Sequence, residues 1–258
     1  MCRMMCLFSD QSFQIPFEYL QSFVKNCRFG NWNFQDFMAP HRAGWGFAWR
    51  DLTHSKSNSK NHSCTPFLRI KRGLRPIWEN KWEDLCKIKS DMFVIHARWA
   101  LPWDVKFSNV HPITIDGRTF LVHNGIISNN SFPPLKEPKY QQIFQNTKLD
   151  SRKYLLSLLD AQKKHENVSD AISSVVKYFC NDLSANGFLF NSQNVWIIDW
   201  HNSPIIQRYT YDLAINKHNG IFCVASMPLT KYFKHIPNKT LLHYDFSQKE
   251  FGTIKLRL

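Results

Sequence analysis

Five short runs of apolar residues along the chain predict β-strands. The runs are rich in aromatic and β-branched residues, and turn-forming residues bound them. Because they are almost continuously apolar, we expect strands that are buried on both faces. The five runs cover residues 44–49, 92–100, 119–125, 194–200 and 220–226.

Apolar residues at helical spacing predict three helices, over residues 16–27, 150–165 and 168–183. In the second of these, leucines recur on one face and Asp150 is placed to cap the start. Strands dominate both ends of the chain and helices lie between them. This mixture predicts two sheets faced by helices.

The length of 258 residues and a hydrophobic content of 43% suit one large domain or two small ones. Segment 53–66 is polar and segment 130–148 holds three prolines, so both predict surface excursions rather than linkers. We therefore expect residues 1–258 to form a single domain.

Composition excludes several classes of protein. The first twenty residues lack an unbroken apolar stretch, and no run approaches the roughly 18 apolar residues of a membrane span. We expect a soluble, cytoplasmic protein with no membrane partner. The seven cysteines include no C-x-x-C pair and no cluster at zinc spacing, so we expect no disulfide framework, no metal and no cofactor.

The formal net charge of +13 raises the alternative of a polyanionic partner. Basic residues are spread along the whole chain, however, and the densest cluster is the short segment 69–75. A nucleic-acid footprint should form a stripe on one face. We therefore keep nucleic-acid binding as a minority alternative.

Three short stretches are too polar for the strands and the helix that they border. Arg98 ends an apolar run, where its planar guanidinium could bind a carboxylate in bidentate fashion or pair with a protein carboxylate at a sheet edge. Asn124 and Gly125 are first of all a hairpin-turn signal, but an asparagine amide and a glycine N–H can also form an oxyanion hole. Asp150 could cap a helix, receive a substrate ammonium group, or do both.

The order of these stretches carries a resemblance that none of them carries alone. The chain has an N-terminal "MC", then "HRAGWGFAW", "HARWA", "VHPITIDGRTFLVHNGIISN" and "KLDSRKYLL". This series resembles the class II glutamine amidotransferases of the N-terminal-nucleophile (Ntn) hydrolase superfamily, and in particular their short, stand-alone branch. The resemblance covers about residues 2–160 by motif. It implies an α+β fold, a four-layer αββα sandwich of two mainly antiparallel sheets.

The resemblance also implies roles for individual residues. Cys2 would be the nucleophile once Met1 is removed, and its own α-amino group would be the general base. Asn124 and Gly125 would stabilise the oxyanion of the tetrahedral intermediate. Arg98 would bind the α-carboxylate of the substrate and Asp150 its α-ammonium group. Two supporting residues of the pocket are matched at Trp99 and His111.

The activity implied is hydrolysis of glutamine or another γ-glutamyl amide through a thioester on Cys2, releasing glutamate and ammonia or an amine. Leu101 and Pro102 replace the threonine and histidine of the larger synthase-linked enzymes, which leaves the γ-substituent open. Two alternatives remain. The chain could be a glutaminase subunit that feeds ammonia to a separate synthase, or a non-catalytic basic protein that binds nucleic acid on the same fold.

Overall fold

Two antiparallel sheets make up most of the structure, a computed structural model that describes residues 2–30, 40–53, 66–202 and 211–256. Strands are numbered in chain order. Sheet A has seven strands, in the order β11 (Lys234–His235), β9 (Ala214–His218), β10 (Ile221–Ala225), β1 (Arg3–Gln14), β4 (Lys89–Ala97), β2 (Trp45–Asp51) and β3 (Phe67–Gly73). Sheet B has six, in the order β13 (Glu250–Lys255), β12 (Thr240–Asp245), β8 (Asn194–Asp199), β7 (Ser184–Phe190), β6 (Phe120–Ile126) and β5 (Ile113–Thr114).

Helices cover the outer faces of both sheets. The helices are α1 (Phe17–Phe29), α2 (Pro138–Asn146), α3 (Asp150–Gln162) and α4 (Val168–Val176). The apolar face of α1 packs on sheet A, whereas α3 and α4 pack on sheet B. A third apolar cluster fills the space between the two sheets. The expected four-layer αββα sandwich is thus confirmed.

Alternation along β1 shows how one strand serves two layers. Successive side chains of a strand point to opposite faces of its sheet. Met5 and Leu7 accordingly pack in the cluster that contains α1, whereas Met4, Cys6 and Phe8 pack between the sheets. An almost continuous apolar run is what a strand buried on both faces requires.

All five predicted strands are confirmed, as are the first two predicted helices, with ends that differ by up to three residues. The third predicted helix, 168–183, is too long. It ends at Val176, and a short 3-10 helix continues to Phe179. The side-chain amide of Asn202 donates hydrogen bonds to the carbonyls of Phe179, Cys180 and Asp182, at 3.0, 2.8 and 3.1 Å. These carbonyls therefore have a partner that is remote in sequence, and the helix does not continue.

Of the two predicted surface excursions, the structure describes segment 130–148 and only the ends of segment 53–66. Segment 130–148 contains helix α2, which begins at Pro138, where the missing proline N–H would have no intrahelical partner. Most of segment 53–66 lies outside the described residues. None of the helices in the described ranges combines the length and the apolar character needed to cross a membrane.

Two buried histidines, His96 and His111, lie side by side with ring centroids 4.4 Å apart. His96 alternates with Met92 and Val94 of β4, so it faces sheet B. None of the four ring nitrogens has a hydrogen-bond partner within the described part of the chain. Burial, together with nearby positive charge, holds the pKa of both rings well below the usual histidine range. Both are therefore neutral at pH 7.

We predict that the free energy of unfolding falls as the pH is lowered through about 6.5, the ordinary histidine pKa. Below that pH the unfolded chain binds protons at these two positions and the folded chain does not, so protonation favours unfolding. Each such histidine contributes up to about 1.4 kcal/mol per pH unit. Urea unfolding between pH 5.5 and 7.5 measures the slope. His111→Gln should flatten it, because it removes one of the two histidines that the folded chain keeps unprotonated. Equal slopes in wild type and His111→Gln would contradict the prediction.

Candidate active site

Cys2 lies directly before a strand in the middle of sheet A, although chain ends usually fray. Strand β1 is the fourth of seven strands and pairs with β4 from Arg3 opposite Ala97. On its other side, Ser226 donates its backbone N–H to the carbonyl of Met4 at 2.9 Å, and its Oγ accepts the N–H of Met4 at 3.1 Å. Neighbouring chain on both sides thus fixes the backbone next to Cys2.

The alternation of the strands turns Cys2 and Asn124 toward the same space. Cys2 has the parity of Met4 and Cys6, which face sheet B, and Asn124 has the parity of Val122, which faces sheet A. The Cys2 thiol approaches the carbonyl oxygen of Trp99, with Sγ and O 3.8 Å apart. The two sheets therefore present a thiol and a carboxamide to one end of the inter-sheet layer.

Asn124 and Gly125 are inside β6, where Gly125 is opposite Ala185 of β7, so the hairpin-turn interpretation of this pair is wrong. Asn124 is completely buried, and both polar atoms of its side chain are without a hydrogen-bond partner in the described ranges. An unpartnered buried amide costs roughly 1–3 kcal/mol. A buried amide that bears such a cost does not stabilise the fold, and it is free to form a hydrogen bond with a ligand.

The backbone N–H of Gly125 points away from β7. Ala185 donates its N–H to Trp200 beyond β8, so the Gly125–Ala185 pair is a non-hydrogen-bonded pair of the β6–β7 ladder. On the other side of β6, strand β5 pairs with Phe120 and Leu121 alone in the described chain. The N–H of Gly125 thus points to the side of β6 on which β5 lies, at a position beyond the end of the β5–β6 pairing.

Glycine is required at position 125 by its neighbours. A Cβ atom there would lie 1.9 Å from the carbonyl oxygen of Ser184 and 2.6 Å from Nε2 of His123. Contacts this short with backbone do not occur, so any side chain would displace β6 or β7. Glycine at position 125 therefore lets β6 pack closely against Ser184 and His123.

Arg98 follows β4 and is almost fully buried, with 6% of its side chain exposed. Its Nη2 forms an ion pair with the carboxylate of Asp104, and its Nη1 donates to the backbone carbonyl of Asp104 at 2.8 Å. Of the two partners expected for Arg98, a ligand carboxylate or a protein carboxylate, the structure thus shows the protein carboxylate. The carboxylate comes from the short loop that follows β4.

Asp150 is the first residue of α3, one position after the cap, which is Leu149. Its Oδ1 accepts the backbone N–H of Ser151 at 2.7 Å, and its Oδ2 accepts the N–H of Ile127 at 3.2 Å. A carboxylate offers about four lone-pair sites. Asp150 therefore joins the start of α3 to the end of β6 and keeps acceptor capacity for a ligand.

A cavity of about 370 Å³ brings most of the predicted residues together. Cys2, Arg98, Trp99, His111, Gly125 and Asp150 line it. Asn124 lies buried next to Gly125 and is not among the lining residues. The cavity size is within the range of about 300–1,000 Å³ that is common for small-molecule sites.

Sequence reasoning missed His123 and Ser151, which also line the cavity. A hydrogen bond of 2.9 Å joins Nδ1 of His123 to Oγ of Ser151, and Oγ in turn is 3.3 Å from Oδ1 of Asp150. Burial lowers the pKa of His123, and the charge of Asp150 opposes that shift in part. Their positions in the sequence could have indicated both residues. His123 lies two residues before Gly125, on the same face of β6, and Ser151 directly follows Asp150.

Comparisons with known proteins give a short sequence match and longer structural matches. No family model matches the chain. A glutamine--fructose-6-phosphate aminotransferase [isomerizing] of Lactiplantibacillus plantarum is 33% identical over 75 residues, which is 29% of this chain and 12% of that enzyme.

Two of the solved structures that match cover the whole chain at low sequence identity. A glutamine phosphoribosylpyrophosphate amidotransferase of B. subtilis has a TM-score of 0.64 at 13% identity, and the match covers 50% of its length. A glutamine aminotransferase class-II domain protein of Silicibacter pomeroyi has a TM-score of 0.59 at 13% identity, with 100% of both chains covered. The chain thus spans about half of the first protein and all of the second. The chain shares the fold of these class II glutamine amidotransferase domains.

Proposed function

We propose that this protein hydrolyses the side-chain amide of glutamine, or of another γ-glutamyl compound, through a thioester on Cys2. One observation carries the proposal: a single cavity joins the thiol of Cys2, the directed N–H of Gly125, the guanidinium of Arg98 and the carboxylate of Asp150. These groups supply a nucleophile, an oxyanion donor, a carboxylate for an α-ammonium group and a guanidinium for the neighbouring α-carboxyl position. The fold shared with class II glutamine amidotransferases supports the same activity.

The nucleophile needs a base in this environment. Burial raises the pKa of the Cys2 thiol above its ordinary value, a rise that the positive amino terminus and Arg98 offset in part. The thiol is therefore protonated at neutral pH. Removal of Met1 would place a free α-amino group two bonds from Cβ of Cys2, and such an amine has a reference pKa of about 7.7–8.0. In our proposal this amine takes the thiol proton, directly or through one water.

The reaction then has two stages. Sγ of Cys2 attacks the amide carbon, and the resulting oxyanion accepts hydrogen bonds from the Gly125 N–H and from Nδ2 of Asn124. The C–N bond breaks as the α-ammonium group returns its proton to the leaving amine. Water next attacks the thioester, which releases the γ-carboxylate product and restores the thiol. Asn124 can turn toward the oxyanion without losing a hydrogen bond, since its amide has no partner in the described chain.

The remaining predicted residues would hold the substrate. Asp150 receives the α-ammonium group, and Arg98 marks the position of the α-carboxyl carbon. Trp99 and His111 form walls of the cavity, and the neutral state of His111 adds no charge there. We propose that the chain acts as one domain and that the ammonia passes to solvent. Transfer to a separate synthase is the alternative, which predicts low turnover by the purified chain that rises when cell extract is added.

We predict that Cys2→Ala lowers the rate of amide hydrolysis by roughly 10³-fold or more, because no other group can form the thioester. The mature protein should begin at Cys2 by intact mass, and a diazo-oxo-norleucine should label that residue. Cys180→Ser, on an exposed cysteine that does not line the cavity, is the matched control and should keep full activity. Active protein that retains Met1 would contradict the mechanism.

We predict that kcat/KM rises about tenfold per pH unit below pH 7.5 and levels near pH 8, because the α-amine must be neutral to accept the thiol proton. A pH–rate profile between pH 5.5 and 9 tests this. The buried histidines should not add a second step in the range from pH 6 to 7, because their pKa values are held low. A profile that is flat from pH 6 to 8 would rule out the terminal amine as the base.

We predict that Asn124→Ala lowers kcat by about 10²–10³-fold and leaves KM nearly unchanged, because an oxyanion donor acts in the transition state. Its unfolding midpoint should stay close to that of wild type, since the lost amide makes no hydrogen bond in the described structure. A large fall in the midpoint with unchanged kcat would instead assign Asn124 a structural role.

A further inference from the structure

The cavity holds its arginine in a closed ion pair. Among the described residues that line it, Arg98 is the single Lys or Arg, and Asp104 engages its guanidinium through a carboxylate oxygen and through the backbone carbonyl. The other carboxylate oxygen, Oδ1, accepts a hydrogen bond from Nδ2 of Asn109 at 2.8 Å. Both oxygens of Asp104 are therefore occupied, and the pair is fixed on either side.

This pairing changes the charge balance of the cavity. Among the lining side chains of the described residues, Asp104 and Asp150 are negative and Arg98 is positive, while His111 and His123 are kept uncharged by burial. The α-amine that the proposed mechanism requires at Cys2 adds positive charge next to Sγ, where the side-chain amide reacts. Free glutamine brings one ammonium and one carboxylate group. Its ammonium matches Asp150, but its carboxylate meets an arginine that Asp104 has already neutralised. The cavity thus has a carboxylate, Asp150, for the α-ammonium group. Its guanidinium has no unpaired positive charge for the α-carboxylate, because Asp104 already pairs with it.

A free carboxylate has to compete with Asp104 for the guanidinium, because Asp104 is tethered close to it. It lies six residues from Arg98, and short flexible tethers give effective concentrations on the order of millimolar. A neutral carbonyl group faces no such competition. The guanidinium has five N–H donors, of which Asp104 uses two in the contacts above, so an amide oxygen can still accept a hydrogen bond from the intact pair.

The rim beside Asp104 is suited to a longer substrate. Leu101, Trp103 and Ile126 line the cavity and have 45%, 74% and 58% of their surface exposed. Leu101 and Trp103 belong to the same short loop as Asp104. An extension that leaves the α-carbonyl next to Arg98 would pass over these apolar side chains.

We propose that the preferred substrate is a glutamine residue with a free α-ammonium group whose α-carboxyl is joined in an amide bond, as at the first position of a peptide. This inference rests on the proposed hydrolysis at Cys2 and narrows its substrate class. For glutaminyl-glycine, Sγ forms a bond to the carbonyl carbon of the side-chain amide, the C–N bond of that amide breaks, and ammonia leaves with the proton that the α-amine of Cys2 took from the thiol. Water then releases glutamyl-glycine and the free thiol.

The first test compares glutaminyl-glycine with free L-glutamine on the purified wild-type chain. Mass spectrometry should detect glutamyl-glycine, which distinguishes hydrolysis from spontaneous cyclisation of the N-terminal glutamine, and Cys2→Ala supplies the background rate. We expect kcat/KM for the dipeptide to exceed that for glutamine by about tenfold or more. This comparison needs no further variant, so it does not depend on how one folds.

The second test is Asp104→Asn, which removes the competing charge and leaves Arg98 free to bind a carboxylate. The ratio of the two kcat/KM values should shift toward glutamine by about tenfold. Asp84→Asn is the matched control, because Asp84 is exposed, pairs with Lys87 and does not line the cavity. It should leave the ratio unchanged.

The outcomes separate this inference from the proposed function. Turnover of glutamine that equals or exceeds that of the dipeptide, in wild type and in Asp104→Asn alike, overturns the substrate class and leaves the thioester mechanism intact. No Cys2-dependent turnover of either compound overturns the proposed function itself. A preference for the dipeptide that Asp104→Asn reverses supports both.

Discussion

The pairing of β1 with strands on both sides is the interaction on which the candidate site depends. Backbone hydrogen bonds to β4 and β10 hold residues 3–8 in the centre of sheet A, so the residue before them cannot fray. Cys2 is therefore fixed in position by the sheet rather than by contacts of its own side chain. The proposed role as nucleophile therefore needs no loop to order this thiol before reaction.

The space between the sheets is divided between apolar and polar ends. Phe8, Phe188 and Phe190 belong to an apolar cluster along most of its length, whereas His96 and Asn124 lie at the end near Cys2. Buried polar groups without partners cost free energy that apolar burial elsewhere offsets. Neutral histidines and an unpartnered amide are thus tolerated next to a cavity because the rest of the layer is well packed.

Arg98 shows how one short loop sets the charge at one end of the cavity. The guanidinium lies in the cavity with Asp150, as a site for an amino acid would need, yet its charge is already matched by Asp104. The same loop supplies the exposed apolar rim. Residues 101–109 therefore supply both the charge and the apolar surface at this end of the cavity.

The sequence by itself determined the strands and helices with strong local patterns, and the order of motifs indicated the residues that line the cavity. Local patterns did not determine where the helices end or which strands pair. Asn124–Gly125 has the propensity of a turn but lies within β6, because β7 pairs along it. The helix that starts at Val168 ends at Val176, and Asn202, distant in sequence, binds carbonyls of the residues that follow the helix. The partner of Arg98 was likewise decided by the tertiary structure, since a guanidinium accepts any carboxylate that the fold brings within reach.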